Sequence, residues 1–480
     1  MSRRTKIVAS IGPASEDPAM LRAMVGAGMN MARLSLAHGP VEETLERIDR
    51  VRQAAADVGE TVGILADLPG PKIRAAPFPD DGVYLNEGDQ TELVPTDGVA
   101  TSDWRRIGID DPELIGQIRP GDRVALGDGG IQLAVETVDG ERVSARVVTG
   151  GQVRGRPGVI VPTRRMTTVT PTPDDLRLLE AVCKASVDAV AISFVRSAAD
   201  IERVRAVTGE GLMVVAKIET QEAVDAIEEV IPASDGVMVA RGDLGIHCDL
   251  EDVPHYQKLI IRTGVAFGRP VITATQMLES MVRAPVPTRA EVSDVANAVF
   301  DGTSALMLSG ETAVGHDPVN AVRTMARIAI RAEQEFDYLG WGRELGQQQS
   351  SETRGAPVPA RITAAVSAAA WRAATDANVS AIIACTNTGS TARAISRFRP
   401  TVPVIGATPS ARAARQLSVA WGVTPIIVDS HGTTDDIVWF AVKGTVEQGI
   451  VRSGDLVAVL VGSPTDPDPA TDTLRLVRVQ

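Results

Sequence analysis

The feature that most constrains this chain is an alternation. Short runs rich in Val, Ile and Ala recur between longer stretches with helical periodicity, the signature of parallel strands joined by crossover helices. The rhythm predicts strands at Lys6–Ile11, Gly28–Leu34 and Val62–Asp67, with helices at Asp17–Val25 and Val41–Val58 between them. It breaks over residues 70–163, where Gly, Pro and Asp punctuate short alternating segments at Gln90–Val94, Arg123–Leu126, Gln132–Val138 and Arg142–Val148. Turn signals at Asp97-Gly98, Asp128-Gly129 and Asp139-Gly140 make this stretch a small all-β insertion. Alternation resumes with strands at Ala189–Phe194, Met213–Lys217, Gly236–Ala240, Val271–Ala274 and Ala305–Leu308. Helices are expected between them at Ile201–Val207, Gln221–Val230, Val253–Ala266 and Glu291–Val299, and after them at Pro318–Glu335. Three strands before the insertion and five after make eight, the count of a closed (β/α)8 TIM barrel.

The barrel is therefore expected over residues 1–69 and 164–340, interrupted by the insertion. A polar stretch at 341–358, with Gln347-Gln348-Gln349-Ser350-Ser351, reads as a linker. A smaller α/β unit is expected over 359–480, with strands at Ala381–Cys385, Val402–Gly406, Thr424–Val428 and Leu456–Val461. The 480 residues are a prior of roughly three domains. With 48 Lys and Arg against 61 Asp and Glu, the net charge of −13 disfavours general attraction to nucleic acid or anionic membranes, so an anionic ligand needs a local cluster of cations. Three scattered cysteines, Cys183, Cys248 and Cys385, fit neither a disulfide framework nor a zinc site and suit a reducing, cytoplasmic setting. The apolar stretch near the N-terminus stops at Gly12-Pro13, short for a secretory signal, and no apolar run approaches the length of a membrane span.

In such a barrel, ligands bind at the C-terminal ends of the strands. The residues closing the apolar runs are unusually polar: Arg33, Asp67, Ser193 to Arg196, Lys217 and Glu219, Arg241 and Asp243, Thr273 to Thr275, and Ser309 to Thr312. Lys217 and Glu219 are two apart at a strand end, which puts both on one face, and Arg241 and Asp243 repeat the spacing. Glu219 and Asp243, from adjacent strands, suit a hard cation such as Mg²⁺ that takes its remaining ligands from water and substrate. Arg33, Lys217 and Arg241 are placed to surround an anionic substrate. One metal and several cations at a barrel mouth suit phosphoryl transfer, which needs positioning and charge neutralisation. Any single pair of this kind is more often a surface or structural ion pair than a site; seven strand ends together are not.

At these residues the chain resembles the pyruvate kinase family, over almost its whole length and in the same domain order. The resemblance is carried by Thr5–Ser15 (TKIVASIGPAS), Gly28–Arg33 with His38 and Gly39, Val215–Glu219 (VAKIE), Asp235–Gly245 (DGVMVARGDLG), Thr273–Ser280 (TATQMLES), Pro287–Glu291, Ser293–Ala298 and Met307–Thr312. It implies transfer of the phosphoryl group of phosphoenolpyruvate to ADP, giving ATP and pyruvate, the last step of glycolysis. It further implies Mg²⁺ or Mn²⁺ held by Glu219 and Asp243, Lys217 stabilising the transferring group and the enolate, and Arg33 gripping the phosphoryl group. The N–H groups of Gly242 and Asp243 would bind the substrate carboxylate if they open a short helix. Thr275 would assist protonation of the enol carbon, Arg74 and His38 would face the nucleotide, and the insertion would be a β-barrel lid that excludes water. A cytoplasmic homotetramer is the assembly that the resemblance suggests.

Several positions depart from the family's pattern. Ser35 and Ala37 stand where the family commonly has Asn and Ser as ligands of a monovalent cation; Asp67 is kept, but Leu68 replaces a Thr. In Gly70–Arg74 (GPKIR), Lys72 stands where K⁺-dependent relatives have Glu, so its ammonium, beside Asp67, is expected to substitute for K⁺. Pro157 and Ile160 replace a Lys and an Asn in the lid, and the segment from Met166 to Asp175 differs from the usual hinge. These changes keep two alternatives open: a catalytically weak relative acting as a metabolite-binding or regulatory protein, or a barrel working on another phosphoenolpyruvate-related or pyruvate-related substrate. In the C-terminal unit, the loop Thr386, Asn387, Thr388, Gly389, Ser390 and Thr391 matches the position of the family's sugar-phosphate effector loop; it reads as a cradle for a sugar phosphate or nucleotide, or as a helix cap with a turn glycine. Arg393, Arg397 and Arg399 after it read as a solvated helix face or as a second anion site.

Overall fold

Strands as short and uniformly apolar as Ala189–Ile192, Val271–Ala274 and Ala305–Leu308 are buried at every position, so neither face can meet water. A closed parallel ring satisfies them, one face against helices and the other filling the interior. The computed structural model describes residues 3–37, 39–71, 73–96, 101–127, 129–161, 169–209, 211–352 (only the backbone over 349–352), 357–463 and 470–480. In it eight parallel strands close in chain order: Lys6–Ser10, Met31–Ser35, Gly63–Asp67, Ala189–Ile192, Met213–Ile218, Gly236–Ala240, Val271–Ala274 and Ala305–Leu308, the last pairing back onto the first. Register sets Ser10 beside Arg33 and Ser35 beside Asp67, so polar residues gather at the C-terminal rim. Methionines fill the interior, Met31, Met213, Met238 and Met307, among Val8, Leu65 and Ile272; Val419 of the C-terminal unit packs into the same cluster.

Between the third and fourth barrel strands lies the β insertion. A two-stranded sheet pairs Phe78–Leu85 with Gly151–Gly155, and a six-stranded sheet runs from Val159–Ile160 at one edge to Arg106–Ile109 at the other. Single bridges, Arg74 to Gly158 and Ala75 to Ile109, join the two edges, so the sheet wraps around its own core of Leu93, Leu126, Leu133 and Val147. Gly129 of the insertion reaches the barrel mouth, where a Cβ on it would sit 3.1 Å from Ile246. The C-terminal unit is a five-stranded sheet ordered Val423–Ile427, Val404–Thr408, Ala381–Cys385, Leu456–Val461 and an antiparallel edge strand Thr473–Arg478.

Three expectations need correction. The linker read at 341–358 is largely helical: one helix spans Tyr338–Glu352 and the next begins at Val358. Gln is a fair helix former, and Leu345 and Trp341 anchor the first helix to the core while Gln347 and Gln348 stay outside. The helix expected at Gln221–Val230 is two, Gln221–Asp225 and Ile227–Ala233, breaking at Ala226. The edge strand Thr473–Arg478 was not expected, since its alternation is half exposed and short.

The C-terminal unit is locked to the barrel by a buried carboxylate. Asp188, fully buried just before the fourth barrel strand, accepts from Arg52 (2.6 Å), from the N–H of Ile64 (2.9 Å) and from Arg415 of the C-terminal unit (2.7 Å). Removing it leaves two guanidinium groups without their partner. An Asp188→Ala protein is expected to lose about 3 kcal/mol of stability in urea unfolding, whereas a loss within error of zero would mean that the bridge holds nothing together.

Candidate active site

The strand Met213–Ile218 is buried at all six positions, so its one charged residue has to find partners inside the barrel mouth. Lys217 is 9% exposed. Its Nζ donates to Ser193 Oγ at 2.6 Å and lies 2.8 Å from Glu219 Oε1 and 3.3 Å from Asp67 Oδ1. Burial pulls its pKa down, but Asp67, Glu219 and Asp243 outweigh that and hold it above the ordinary lysine value. Asp67 is buried at the end of the third strand; burial pushes its pKa up, yet Lys217 and Arg33 together bring it below the usual carboxylate value. Arg33 clasps Asp67 Oδ2 through Nε (2.7 Å) and Nη2 (2.6 Å), and its Nη1 donates to Ser10 Oγ (2.9 Å).

Glu219 carries the opposite perturbation. Burial pushes its pKa up to about 7, with Asp243 adding, while Lys217 and the N–H of Phe194, 2.6 Å from Oε2, oppose. That N–H is aimed inward because Phe194 adopts φ +56°, an uncommon conformation for a bulky residue. Gly70, at φ +69°, makes room beside it, since a Cβ there would stand 2.8 Å from that of Ser193.

Arg33, Asp67, Lys217, Glu219 and Asp243 line one cleft together with Ser193. Glu219 Oε1 is buried and, among the described residues, accepts no hydrogen bond of ordinary geometry. A carboxylate oxygen whose one close partner is the Lys217 ammonium, beside a second carboxylate in a cleft with room for further oxygens, fits a hard divalent cation. Among the described residues no cluster of three or more His, Cys, Asp or Glu could hold a metal, so a cation here has to complete its shell with water and substrate.

After the sixth strand the chain turns directly into a helix, Arg241–His247, and the N–H of Gly242 donates to Thr275 Oγ1 at 2.8 Å. Thr275 and Gln276 both have positive φ, +66° and +53°, so this turn stores strain. Arg241 holds it. Its Nε and Nη2 donate to the carbonyls of Ala274 (3.2 Å) and Thr275 (2.7 Å), and its Nη1 pairs with Asp294 (2.6 Å). Arg241 is thus a brace behind the site, contrary to the expectation that it surrounds the substrate. Glu311 and Thr312 also turn away: Glu311 accepts the N–H groups of Leu278 and Ser309, and Thr312 donates to the carbonyl of Ser10. Ser10, Ser193 and Asp294 were given no role from sequence; Ser193 alone carried a signal, as a polar residue closing an apolar run.

The other expected residues lie apart from the cleft. Arg74 sits in the seam of the insertion, its N–H on Asp110 (2.7 Å) and its Nη1 on the carbonyl of Arg156 (3.0 Å). His38 and Lys72 fall outside the described residues, as does the segment 162–168 of the expected hinge. In the C-terminal loop, Thr386 Oγ1 caps the N–H of Gly389 (2.9 Å) and Thr391 pairs with Thr471 (2.8 Å), which leaves Asn387, Thr388 and Ser390 at the exposed turn.

Comparison with known proteins agrees with this arrangement. The family described as "Pyruvate kinase, barrel domain" matches residues 2–322, and "Pyruvate kinase, alpha/beta domain" matches residues 364–477. A Clostridium acetobutylicum protein named pyruvate kinase is 40% identical over 482 residues, covering 100% of both chains. Proteins of the same name from Staphylococcus epidermidis (39% identical) and Geobacillus stearothermophilus (40% identical) align with 99% of this chain and 80% of their own length.

The raised pKa of Glu219 has a consequence for stability. Between about pH 4.5 and about 7 the folded carboxyl keeps a proton that the unfolded one has lost, so its contribution to stability falls as pH rises through this window. In thermal unfolding without divalent ions, wild type is expected to lose stability relative to Glu219→Gln across that range; parallel pH profiles would show that the carboxyl is not perturbed.

Proposed function

The chain belongs to the pyruvate kinase family and is a phosphotransferase, and from that premise we propose that it moves the phosphoryl group of phosphoenolpyruvate to ADP using Mg²⁺ but no K⁺. The observation that carries this reading is the meeting of Arg33, Asp67, Lys217, Glu219 and Asp243 in one cleft at the barrel's C-terminal rim. Glu219 and Asp243 hold the divalent cation, which when bound neutralises charge on the substrate oxygens. Arg33, oriented by Asp67 and Ser10, grips the phosphoryl group. Lys217 is charged at any physiological pH and set among buried groups, where an ammonium counts for most; it stabilises the departing phosphoryl group and the enolate oxygen left behind. The N–H of Asp243, and that of Gly242 once it exchanges Thr275 Oγ1 for the ligand, take the substrate carboxylate. Thr275, whose Oγ1 accepts from the N–H of Gly242, directs a proton to the enol carbon. The insertion, with Gly129 against Ile246, closes over the mouth and keeps water from taking the phosphoryl group, while Arg74 and His38 serve the nucleotide.

Independence of K⁺ is supported by what lines the cleft. Ser35, Ala37 and Leu68 offer one hydroxyl where a monovalent cation would need several oxygens, and Asp67 is already engaged by two cations. Lys72 supplies the missing positive charge. The wider reading includes a cytoplasmic homotetramer and a sugar-phosphate or nucleotide effector at Thr386–Thr391; no described helix is long and apolar enough to cross a membrane.

The test is coupled measurement of pyruvate formed from phosphoenolpyruvate and ADP. Turnover is expected to require Mg²⁺ or Mn²⁺ and to persist when K⁺ is replaced by tetramethylammonium, whereas Lys72→Glu should need K⁺. Lys217→Met should lower kcat by about a hundredfold or more. Loss of wild-type turnover without K⁺ would overturn the monovalent-cation reading, and a Lys217→Met protein as fast as wild type would overturn the mechanism.

A further inference from the structure

The three oxygens around the Lys217 ammonium play different parts. Nζ lies 2.6 Å from Ser193 Oγ, 2.8 Å from Glu219 Oε1 and 3.3 Å from Asp67 Oδ1. Among the described residues, Glu219 Oε1 and Asp67 Oδ1 accept no hydrogen bond of ordinary geometry, so these two oxygens hold the ammonium by charge. Coulomb attraction has no preferred angle: it sets how strongly the ammonium is stabilised but not where it stands. The directional contact is the one with Ser193.

Ser193 is itself fixed. It is 2% exposed and stands just past the fourth barrel strand, Ala189–Ile192. An ammonium has no lone pair, so the hydroxyl has to accept from it, and its own proton goes to the carbonyl of Leu68 at 2.8 Å. Leu68 is tied back to the fourth strand, its N–H donating to the carbonyl of Ala191 at 3.0 Å. The donor chain from Lys217 through Ser193 to Leu68 therefore runs one way, and each bond polarises the next. Phe194 follows at φ +56° with its N–H 2.6 Å from Glu219 Oε2. Two consecutive residues of one turn thus place both the lysine and the carboxylate beside it.

We propose that Ser193 is the positioning residue for Lys217: its hydroxyl fixes where the ammonium stands, while Asp67 and Glu219 supply the opposing charge. When substrate enters, Nζ keeps Ser193 and turns its other two N–H groups from the carboxylates to the substrate oxygens. An ammonium has three donors, so one can stay anchored while two work on the reacting group. The proposal deepens the reaction proposed above and rests on it for its kinetic consequences; the position of Nζ is tested without it.

In Ser193→Ala, kcat for pyruvate formation from phosphoenolpyruvate and ADP is expected to fall about tenfold to a hundredfold, the loss that a misplacement of about 1 Å brings, with KM for phosphoenolpyruvate changed less than about twofold. Ser193→Cys keeps the shape but offers a weak acceptor, and should fall in the same way. The losses should not multiply: Ser193→Ala combined with Lys217→Met should turn over as Lys217→Met alone, whereas a merely structural serine would slow both backgrounds by the same factor. A crystal structure of Ser193→Ala without substrate should show Nζ displaced by about 1 Å toward Glu219 or Asp67. An unmoved Nζ, wild-type kcat in both single variants, a loss confined to KM, or losses that multiply would each overturn the proposal. A wild-type protein that makes no pyruvate would overturn the reaction instead, and the position of Nζ in the variant would still decide this proposal.

Discussion

A lysine ammonium inside a barrel mouth is the constraint on which the site depends. Lys217 has to be charged, and in a buried setting it stays charged only while carboxylates stand close to it. Those carboxylates come from a contiguous arc of the ring: Asp67 from the third strand, Glu219 from the fifth and Asp243 from just past the sixth, with the Ser193 hydroxyl from the fourth between them. The closed parallel sheet delivers four neighbouring strand ends to one point. The buried strands, the methionine-filled interior and the Val419 plug are what keep the ring closed.

Around this centre the chain accepts local strain in return for geometry. Phe194, Thr275 and Gln276 sit at positive φ, and two of them are held by a nearby side chain: Glu219 on the N–H of Phe194, Arg241 on the carbonyl of Thr275. The two ends of the barrel make a physical contrast. At the rim, Arg33 and Lys217 share Asp67, so their charge is largely balanced before any substrate arrives. At the closed end, Arg269 and Arg399 keep buried donors without acceptors among the described residues.

Much of this was legible in the sequence, because it depends on periodicity. Strand count, strand ends and the two-residue spacing of Lys217 and Glu219 follow from which residues can be buried and which cannot. The direction in which a strand-end side chain finally points was not legible. Arg241 shares its spacing with Lys217 yet turns behind the sheet, because the next residues enter a helix and Asp294 waits on a helix fifty residues later. The 341–358 stretch was misread for a different reason: composition marks it as polar but does not say that Trp341 and Leu345 anchor one face of a helix. Arg399 looked like a surface residue until the positive φ after its helix turned it beneath Trp421.

In the proposed function, Glu219, Asp243 and Lys217 form one metal-and-substrate site, and Glu219 loses its proton when a cation arrives. Calorimetric titration of Mn²⁺ near pH 6, in buffers of differing ionisation enthalpy, tests this most directly. The account predicts a proton released on binding, with both the binding and the release lost in Glu219→Gln and the binding weakened in Asp243→Asn. Mn²⁺ binding of undiminished strength and without proton release in Glu219→Gln, alongside wild type that also releases none, would contradict it.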